Sequence, residues 1–530
     1  MSPAARSAPI WLCPTGAEMR AIDRDAIERL GLPGRTLMET AGRAVAEAIA
    51  RFHPQCLRPL VACGGGNNGG DGYVIARVLA EQGRGVAPLV LDLAKPESQS
   101  PEAKANRELL EPAGVRTLRA GSAAELANAL ASCDLVVDAV LGVGLARPVD
   151  GALAEILRAL AASGLPCVAV DLPSGLSSDT GRPLGLCLEA DLVVTFGLPK
   201  LGLALYPSAA RVLVADIGLP RAAIERANVR QHVLTRAAAR MLLPERPLDG
   251  HKGRFGHVLV VGGSPGKTGA VLLAAQGALR GGAGLVTLAA PRAAHAIYAS
   301  QLAEAMCVLL DDTSSGALAE SHVEPIAREL ELRDALVFGP GLGPHSSSAA
   351  LARALLTRAR VPAVVDADGL NAFGAELEAL RSSAPRVLTP HPGEAARLLG
   401  LSTAAVQDDR PGAARALAAR SGAVAILKGA RSVIAAPDGD LCVNPTGGPG
   451  LAAGGSGDVL AGLVGALLGQ GLRAWDAARL GAWLHGLAGD LGPKLGGLAT
   501  ELAARNPAAW QALAELERET DEPGTLVPFP

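Results

Sequence analysis

The chain has 530 residues, more than one hydrophobic core normally holds, which predicts two domains of similar size. Apolar residues make up 49% and charged residues 19%, which excludes a disordered chain, and the formal net charge of -3 offers no basic field for a nucleic-acid backbone. The eight cysteines are scattered, and no apolar run has the length of a membrane span or of a signal peptide core. We therefore expect a soluble, cytoplasmic protein with neither nucleic-acid nor membrane partners.

In the first half, short apolar runs alternate with amphipathic segments of helical length. The predicted strands cover residues 60–63, 87–91, 135–140, 167–170, 192–196 and 212–215. Most of these runs are apolar throughout, which is typical of strands buried on both faces of a parallel sheet. The alternation predicts a Rossmann-like, doubly wound, three-layer α/β sandwich.

The alternation stops over residues 221–254, which contain no β-like run, and it resumes at His257. The strands predicted in the second half cover residues 258–261, 285–289, 335–338, 363–365, 387–388 and 424–427, and a β-hairpin follows over 432–443. We place the border near residue 230, which gives predicted domains of residues 1–228 and 229–530.

The first candidate ligand loop is CGGGNNGGDGYV, which follows a predicted strand and begins a helix. Its glycines satisfy GxGxxG and Asp92 closes the next strand, as in the dinucleotide fingerprint. Asn67, Asn68 and Asp71 add polar side chains where a plain Rossmann loop has small or apolar ones. The alternative is an Asx-rich turn that merely caps a helix.

Two further polar segments follow predicted strands. The strand predicted in DLVVDAV ends at Asp138, and the strand in CVAVDLPSG leads to Asp171 and Ser174. Taken singly, Asp138 is a turn residue and Asp171 a cap. Because ligands bind at the carboxyl ends of strands in open α/β sheets, the three segments together predict one site.

The motifs LMETAG, GNNGGDGYV, DAVLGVGL and VDLPSG resemble those of the YjeF N-terminal family, the NAD(P)H-hydrate epimerases, over residues 15 to about 220. The resemblance implies that Asn68, Asp138 and Ser174 bind K⁺. It also implies that the hydrated nicotinamide nucleotide NAD(P)HX is bound by Asn67, Asn68, Gly69, Gly70, Asp71, Gly142, Val143, Gly144, Leu145, Ala146, Arg147, Pro148 and Asp171. The run from Val143 to Ala146 departs from the family's more polar pattern. Asp171 is our hypothesis for the residue that carries a proton to and from the C6 hydroxyl.

The second half opens with HKGRFGHVLVVGGSPGKTGA, which nearly matches a P-loop. Gly266, Lys267 and Thr268 are in place, but Val261 stands where the first glycine is required. This departure argues against a P-loop NTPase.

A longer glycine-rich segment, NPTGGPGLAAGGSGDVLAG, precedes an apolar helix. Exposed amides at a helix N-terminus form an anion hole for a phosphoryl group, and Asp458 beside them is placed to accept a proton from an attacking hydroxyl. The alternative role for Asp458 is that of a simple N-cap. The arrangement resembles that of the ribokinase-like superfamily, which implies an α/β/α domain.

HKGRFG, GGSPGKTGA, GPGLG, DADGLN, LTPHPGEAARLLG, LKGARS and GSGDVLAG together resemble the YjeF C-terminal family, the ADP- or ATP-dependent NAD(P)H-hydrate dehydratases, from about residue 235 to 515. The resemblance implies an NAD(P)HX site at Ala270, Gly341, His391 and Asp458, with Asp458 as catalytic base. It places the adenine nucleotide at Lys428, Gly429, Ala430, Arg431, Ser432 and Gly457, with Mg²⁺ on the phosphates. His391 as a loop histidine and Lys428 as a solvated lysine remain alternatives.

Together these motifs predict a bifunctional repair enzyme that epimerises NAD(P)HX and dehydrates its S form, with ADP as the expected donor. We also expect a homo-oligomer. Three other functions remain open, namely a kinase for a small alcohol or vitamin precursor, an NAD-dependent oxidoreductase and a non-catalytic nucleotide sensor. The sequence does not decide between ADP and ATP, or between NADHX and NADPHX.

Overall fold

The structure is a computed structural model that describes residues 10–95, 99–119, 123–311, 313–515 and 526–530. The chain folds into two compact units. The first contains the described residues up to Gln231 together with residues 526–530, and the second contains residues 232–515.

The first unit is built on a mostly parallel sheet. Its strands are β2 (Pro59–Cys63), β3 (Leu89–Asp92), β4 (Arg116–Leu118), β5 (Leu135–Ala139), β6 (Cys167–Val170), β7 (Leu192–Phe196), β8 (Arg211–Ala215) and the C-terminal strand, called β19 (Leu526–Pro528), whereas the short strand β1 (Ile10–Leu12) lies outside this sheet. The sheet order is β19-β8-β7-β6-β5-β2-β3-β4, and β19 is antiparallel to β8. The chain moves outward from β2 in one direction and then returns to β5 on its other side, so the carboxyl ends of β2 and β5 flank the switch point where ligands bind in such sheets.

The helices of the first unit bury apolar faces against this sheet. The helix Gly34–Phe52 buries Leu37, Ala41, Val45 and Ile49, whose spacing of four residues places them on one face. The α-helices are Gly16–Arg24, Gly34–Phe52, Asn67–Glu81, Pro101–Glu108, Ala123–Ala131, Gly151–Ala162, Leu201–Leu205 and Arg221–Ala227, and a π-helix covers Asp25–Arg29.

The second unit contains a longer sheet. Its strands are β9 (Gln231–Leu234), which begins at the border, β10 (His257–Val261), β11 (Leu285–Pro291), β12 (Met306–Leu310), β13 (Ala335–Phe338), β14 (Ala363–Val365), β15 (Arg386–Leu388), β16 (Val424–Leu427), β17 (Val433–Ala435) and β18 (Leu441–Val443). They follow the order β9-β18-β17-β16-β15-β14-β13-β10-β11-β12. The strands from β16 to β12 in this order are parallel, whereas β17 is antiparallel to both β16 and β18.

Two helices of the second unit, Thr268–Arg280 and Ser456–Gly469, each follow a glycine-rich loop and pack closely against each other. A Cβ on Gly462 would lie 1.9 Å from the carbonyl oxygen of Ala274, and one on Gly277 would lie 2.3 Å from that of Val459. The two glycines therefore allow Thr268–Arg280 and Ser456–Gly469 to touch backbone to backbone. The α-helices are Arg236–Met241, Thr268–Arg280, His295–Gln301, Val323–Leu330, Ser346–Arg358, Asp368–Asn371, Pro392–Leu399, Thr403–Asp408, Arg410–Ser421, Ser456–Gly469, Ala474–Asp490 and Ala499–Ala514.

The predicted α/β class and the predicted strands are confirmed, with ends that shift by at most two residues. The expectation that residues 221–254 contain no strand is wrong, because QHVL forms β9 and is buried at every position. Two of its four residues are polar, which hides the strand from a search for apolar runs. The short strands β1, β4, β12 and β19 were not predicted either.

The C-terminal strand changes the expected domain border. Residues 229–530 were expected in one domain, but Leu526, Val527 and Pro528 pair with Ala215, Val214 and Leu213 of the first unit. The expected border at residue 228 otherwise lies three residues from the observed one. In the part of the chain that the structure describes, no helix is long and apolar enough to cross a membrane.

Candidate active sites

The glycine loop of the first unit connects β2 to the helix Asn67–Glu81. A Cβ on Gly69 would lie 1.9 Å from the carbonyl oxygen of Gly64, so only glycine fits this tight turn. Gly66 is the N-cap of this helix, and a Cβ on it would meet no atom within 4 Å. Among the described residues, no side chain forms a capping hydrogen bond to the helix at this position. The asparagines therefore do not cap the helix, and its N-terminal amides remain available for an anion.

Asp138 and Ser174 meet at the carboxyl ends of β5 and β6. Both side chains are fully buried. The Ser174 hydroxyl donates to Oδ1 of Asp138 at 2.5 Å, and the Ser174 amide donates to Oδ2 at 2.7 Å. Burial raises the pKa of Asp138 to about 6, although the hydrogen bonds from Ser174 oppose the rise. Two of the three predicted K⁺ ligands are thus in direct contact.

Asn68, the third predicted K⁺ ligand, lies beside the same loop. A Cβ on Gly142 would lie 3.4 Å from Oδ1 of Asn68, and the amide of the preceding Leu141 donates to Oγ of Ser174 at 2.8 Å. Nδ2 of Asn68 is buried and makes no hydrogen bond to the described residues. An amide oxygen, a hydroxyl and a buried carboxylate form the hard-oxygen donor set that suits a cation such as K⁺.

Asp171 lies at the end of β6 in a strained conformation, with φ of 66°. The buried Lys200 forms an ion pair with Oδ1 of Asp171. Thr195 Oγ1 donates to that same oxygen at 3.0 Å, and the Phe196 amide donates to it at 3.4 Å. Lys200 Nζ also donates to Thr195 Oγ1 at 3.1 Å. The carboxylate is therefore held by one of its two oxygens.

Two more carboxyl groups act electrostatically on this pair. Burial raises the pKa of Asp23 to about 6, with Lys200 opposing and Asp171 adding to the rise. Burial, with Asp171 and Asp23 nearby, holds the pKa of Asp71 well above its usual range. Three carboxyl groups thus share one ammonium group, which keeps protons on this cluster near neutral pH.

The loop after β5 contains the remaining predicted substrate residues of the first unit. Gly142, Val143 and Leu145 are partly buried, whereas Gly144 and residues 146–148 are exposed. Arg20 holds the loop by donating to the carbonyl oxygen of Val143 at 2.7 Å. Gly144 is exposed and a Cβ on it would meet no atom within 4 Å, so this side of the loop is open to solvent.

In the second unit, the GGSPGKTGA and GPGLG loops meet. A Cβ on Gly341 would lie 2.6 Å from the carbonyl oxygen of Lys267 and 3.1 Å from Cβ of Ala270. The Lys267 ammonium lies 2.9 Å from Oδ2 of Asp368, which also accepts from the Gly343 amide at 2.9 Å. Two of the predicted substrate residues, Ala270 and Gly341, are therefore neighbours beside an ion pair.

Asp458 is the third residue of the helix Ser456–Gly469. The N-cap is Gly455 in a left-handed conformation, and no side-chain hydrogen bond caps this helix. The alternative role of Asp458 as an N-cap is therefore wrong. Burial raises the pKa of Asp458 to about 7, with Asp366 adding to the rise and Lys428 opposing it. A carboxyl group with this pKa at a helix N-terminus is suited to act as a general base near neutral pH.

Lys428 lies at the carboxyl end of β16 within an acidic group. Its ammonium lies 3.1 Å from Oδ1 of Asp366 and 4.0 Å from Oε2 of Glu394. Burial opposes the charged form, but these carboxylates outweigh it and raise the pKa of Lys428. A Cβ on Gly457 would lie 3.1 Å from Nζ of Lys428, so two predicted nucleotide residues meet next to Asp458. Lys428 is not a solvated lysine.

A second cation, Arg410, contacts the loop that follows Lys428. Arg410 Nη1 donates to the carbonyl oxygen of Ala430 at 2.5 Å. Arg431 has φ of 53° and donates to the carbonyl oxygen of Pro445 at 3.0 Å. Ser432 Oγ donates to the carbonyl oxygen of Gly429 at 3.1 Å. These bonds fix the backbone of the predicted nucleotide loop.

His391 has a local structural role in this structure. Its Nδ1 accepts from the amides of Gly393 at 3.0 Å and Glu394 at 3.4 Å, which caps the helix Pro392–Leu399. Accepting at Nδ1 places the proton of the neutral ring on Nε2. Nε2 of His391 lies 3.5 Å from Oε1 of Glu394, and about half of the His391 side chain is exposed, so the ring is accessible from solvent.

Sequence reasoning missed several residues of both clusters. Lys200, Thr195 and Asp23 were not singled out, and neither were Asp366 and Glu394. The available signal was weak. Lys200 follows β7 in TFGLPK and Asp366 follows β14 in DADGLN, each a polar residue placed soon after an apolar strand.

Comparison with known families covers both units. The profile of the YjeF-related protein N-terminus matches residues 34–202, and that of the NAD(P)H-hydrate dehydratases matches residues 258–505. The chain thus combines an N-terminal part of the YjeF type with a C-terminal part of the dehydratase type.

Full-length relatives share this organisation. The bifunctional NAD(P)H-hydrate repair enzyme Nnr of Moorella thermoacetica is 46% identical and is matched over 90% of this chain and 91% of that protein. The enzyme of the same name from Escherichia coli is 35% identical over 94% of this chain and 92% of that protein. This chain belongs to the family of bifunctional NAD(P)H-hydrate repair enzymes. The family predicted from the motifs is confirmed.

A solved structure also aligns with part of the chain. It is the ADP/ATP-dependent NAD(P)H-hydrate dehydratase from Bacillus subtilis, co-crystallized with ATP/Mg²⁺. The two sequences are 31% identical, and the alignment covers 53% of this chain and 98% of the Bacillus subtilis chain, with a TM-score of 0.46.

Proposed function

We propose that the first unit interconverts R- and S-NAD(P)HX, and that the second converts S-NAD(P)HX to NAD(P)H with ADP as phosphoryl donor, releasing AMP and phosphate. The observation that carries the proposal is the partly buried Asp458, which caps no helix and lies beside Lys428 and Gly457. Family membership supports both activities.

In the first unit, Asp171 carries the proton transfer. Thr195, Phe196 and Lys200 all donate to Oδ1, which leaves Oδ2 to face the C6 hydroxyl. The hydroxyl lies on a carbon next to the ring nitrogen, so the nitrogen lone pair helps the C–O bond to break. Asp171 supplies the proton to the departing hydroxyl and takes it back when water adds to the other face of the ring.

Lys200 and the protonated Asp71 keep the net negative charge of this cluster low during that exchange. Lys200 holds Oδ1 of Asp171 in an ion pair, and the raised pKa of Asp71 limits the accumulation of negative charge. Asn68, Asp138 and Ser174 would hold K⁺, whose charge would fix the loops after β2 and β5 around the substrate.

In the second unit, Asp458 accepts the proton of the C6 hydroxyl of S-NAD(P)HX. The hydroxyl oxygen then forms a bond to the β-phosphorus of ADP, and the bond to AMP breaks. Residues 428–432 and Gly457 hold the nucleotide through backbone amides and the Lys428 ammonium. Ala270, Gly341 and the Nε2–H of His391 position the hydrated nucleotide.

The phosphorylated intermediate restores the dihydropyridine ring by elimination. Phosphate leaves C6 while C5 loses a proton, which forms the C5–C6 double bond. Water is a poor leaving group and phosphate a good one, which explains why the reaction consumes a nucleotide.

Mg²⁺ on the nucleotide would neutralise charge as the phosphoryl group transfers. The described residues contain no group of three or more His, Cys, Asp or Glu side chains arranged to hold a metal ion. Asp366, Glu394 and Asp458 nevertheless outnumber the single ammonium of Lys428. This surplus fits Mg²⁺ bound by one or two carboxylates together with nucleotide phosphates.

The direct test incubates the purified protein with a mixture of R- and S-NADHX. With ADP and Mg²⁺ present, complete conversion to NADH is expected, and without a nucleotide no NADH should form. A parallel reaction with ATP identifies the preferred donor. Accumulation of a stable phosphorylated product without NADH would instead favour a small-alcohol kinase.

A further inference from the structure

Asp92 occupies the position that selects the ribose in a doubly wound sheet. It ends β3, the strand next to β2, and β2 leads into the glycine loop. An acidic residue at this position ordinarily accepts a hydrogen bond from the 2′-hydroxyl of the adenosine ribose. Asp92 is buried, with a fully covered side chain.

The carboxylate of Asp92 is already saturated by protein donors. Its Oδ1 accepts from Tyr73 OH at 2.9 Å and from the Ala94 amide at 3.2 Å. Its Oδ2 accepts from Arg107 Nε at 2.8 Å and from Arg119 Nη2 at 3.2 Å. A carboxylate offers about four lone-pair sites, so no site remains for a ribose hydroxyl.

The same cluster leaves positive charge at the surface. One carboxylate meets two guanidinium groups, which gives a formal surplus of one positive charge. The side chains of Arg107 and Arg119 are 31% and 52% exposed, so part of each side chain is accessible from solvent. Each guanidinium has five N–H donors, and those that do not reach Asp92 suit the oxygens of a phosphate monoester.

We infer that Arg107 and Arg119 form a subsite for the 2′-phosphate of NADPHX, so that the first unit epimerises NADPHX in preference to NADHX. The inference rests on the proposed epimerase function and adds its substrate class. Asp92 orients the two guanidinium groups, and the hydrogen bond from Tyr73 fixes Asp92. NADHX has a 2′-hydroxyl here and finds no free acceptor on Asp92.

The test follows epimerisation alone, because without ADP or ATP the second unit consumes no substrate. Pure R-NADPHX and pure R-NADHX are each added to the intact chain, and the appearance of the S form is measured by chromatography. The wild-type protein should show the higher kcat/KM with R-NADPHX. Arg119→Ala should raise the KM for R-NADPHX roughly tenfold and change that for R-NADHX by less than about twofold.

Two further variants separate a phosphate contact from structural support. Arg116→Ala removes the same charge from an exposed position on β4 and should leave both KM values unchanged. Arg107→Ala should show the same selective loss as Arg119→Ala, with thermal unfolding measured as a check of the fold. An equal rise of both KM values, or none, in Arg119→Ala would overturn the inference. A wild-type protein that epimerises neither substrate would instead overturn the proposed function, and the inference with it.

Discussion

Each unit places its candidate catalytic carboxylate near a lysine that follows a strand, but the two carboxylates are paired differently. In the first unit Asp171 has a buried ammonium partner, Lys200, in direct contact with Oδ1. In the second unit Lys428 forms its shortest ion pair with Asp366, and it acts on Asp458 only as an opposing electrostatic influence. Both sites thus contain a lysine near the carboxylate, but among the described residues only Asp171 of these two carboxylates forms a direct ion pair with its lysine.

This difference in pairing suits two kinds of proton transfer. Epimerisation returns the proton that it takes, and a carboxylate balanced by a neighbouring ammonium and protonated acids can exchange it in both directions. Phosphoryl transfer needs a base that removes a proton from a hydroxyl as the new bond forms. Burial raises the pKa of Asp458 to about 7, which makes it a stronger base than an ordinary carboxylate.

The largest effect is expected from Asp458→Asn. Because asparagine keeps the size of the side chain but accepts no proton, dehydration of S-NADHX should fall by a factor on the order of 10² or more. Nucleotide binding and epimerisation should persist. Asp438→Asn, at an exposed turn of the same unit, serves as the matched control. Dehydration at the wild-type rate would remove Asp458 from the mechanism.

Asp171→Asn should lower epimerisation by a factor on the order of 10², because the amide still accepts a hydrogen bond from Lys200 but no longer exchanges a proton. Dehydration of purified S-NADHX should be unchanged. Asp171→Ala should also abolish epimerisation, but it leaves the buried Lys200 unpaired, so its folding must be checked. Undiminished epimerisation in the asparagine variant would contradict our assignment.

The pH dependence of dehydration should follow Asp458. As the pH falls below about 7, this carboxyl becomes protonated and kcat/KM should fall by about tenfold per pH unit. A raised carboxyl pKa contributes stability at low pH, and this contribution is lost as the pH rises through about 7. Asp458→Asn should therefore be at least as stable as the wild type at alkaline pH. A flat rate profile through neutral pH would argue against this base.

The smallest of these effects concerns the monovalent cation. Replacing K⁺ by the smaller Na⁺ should slow epimerisation, because Asn68, Asp138 and Ser174 would have to close around a smaller ion. We expect a change of a few-fold, on the order of 1 kcal/mol or less in barrier height. Dehydration of S-NADHX in the same buffers is the internal control. Equal epimerisation rates in both salts would exclude a K⁺-selective site.

The sequence alone predicted those strands that form a continuous local run of apolar residues. Apolar strands such as β6, β7, β13, β14 and β16 were predicted with their observed ends. β4 and β9 were missed because each contains polar residues, and β19 because its pairing with β8 depends on a distant part of the chain. The hydrophobic period and the composition of a segment indicate whether its residues are buried, but they do not indicate which strands become neighbours.

The same limit applies to the sites. Asp171 and Asp458 stand in glycine- and proline-rich motifs directly after strands or before a helix, so local sequence marks them. Lys200 becomes the partner of Asp171 because β7 lies next to β6. Asp366 becomes the partner of Lys428 because β14 and β16 lie on either side of β15. Such pairings follow from sheet order, which is why the motifs located both sites but not the charges that tune them.

The most direct test of two separate activities combines the two inactivated proteins. Cutting the chain near residue 228 would remove β19 from the first unit, so intact variants are preferable to fragments. Asp171→Asn alone, given R/S-NADHX and ADP, should convert the S fraction rapidly and the remainder only at the slow spontaneous rate of epimerisation. Asp458→Asn alone should form little NADH. An equimolar mixture of the two variants should restore rapid and complete conversion, whereas a mixture that still leaves the R fraction behind would contradict the division of labour between the two units.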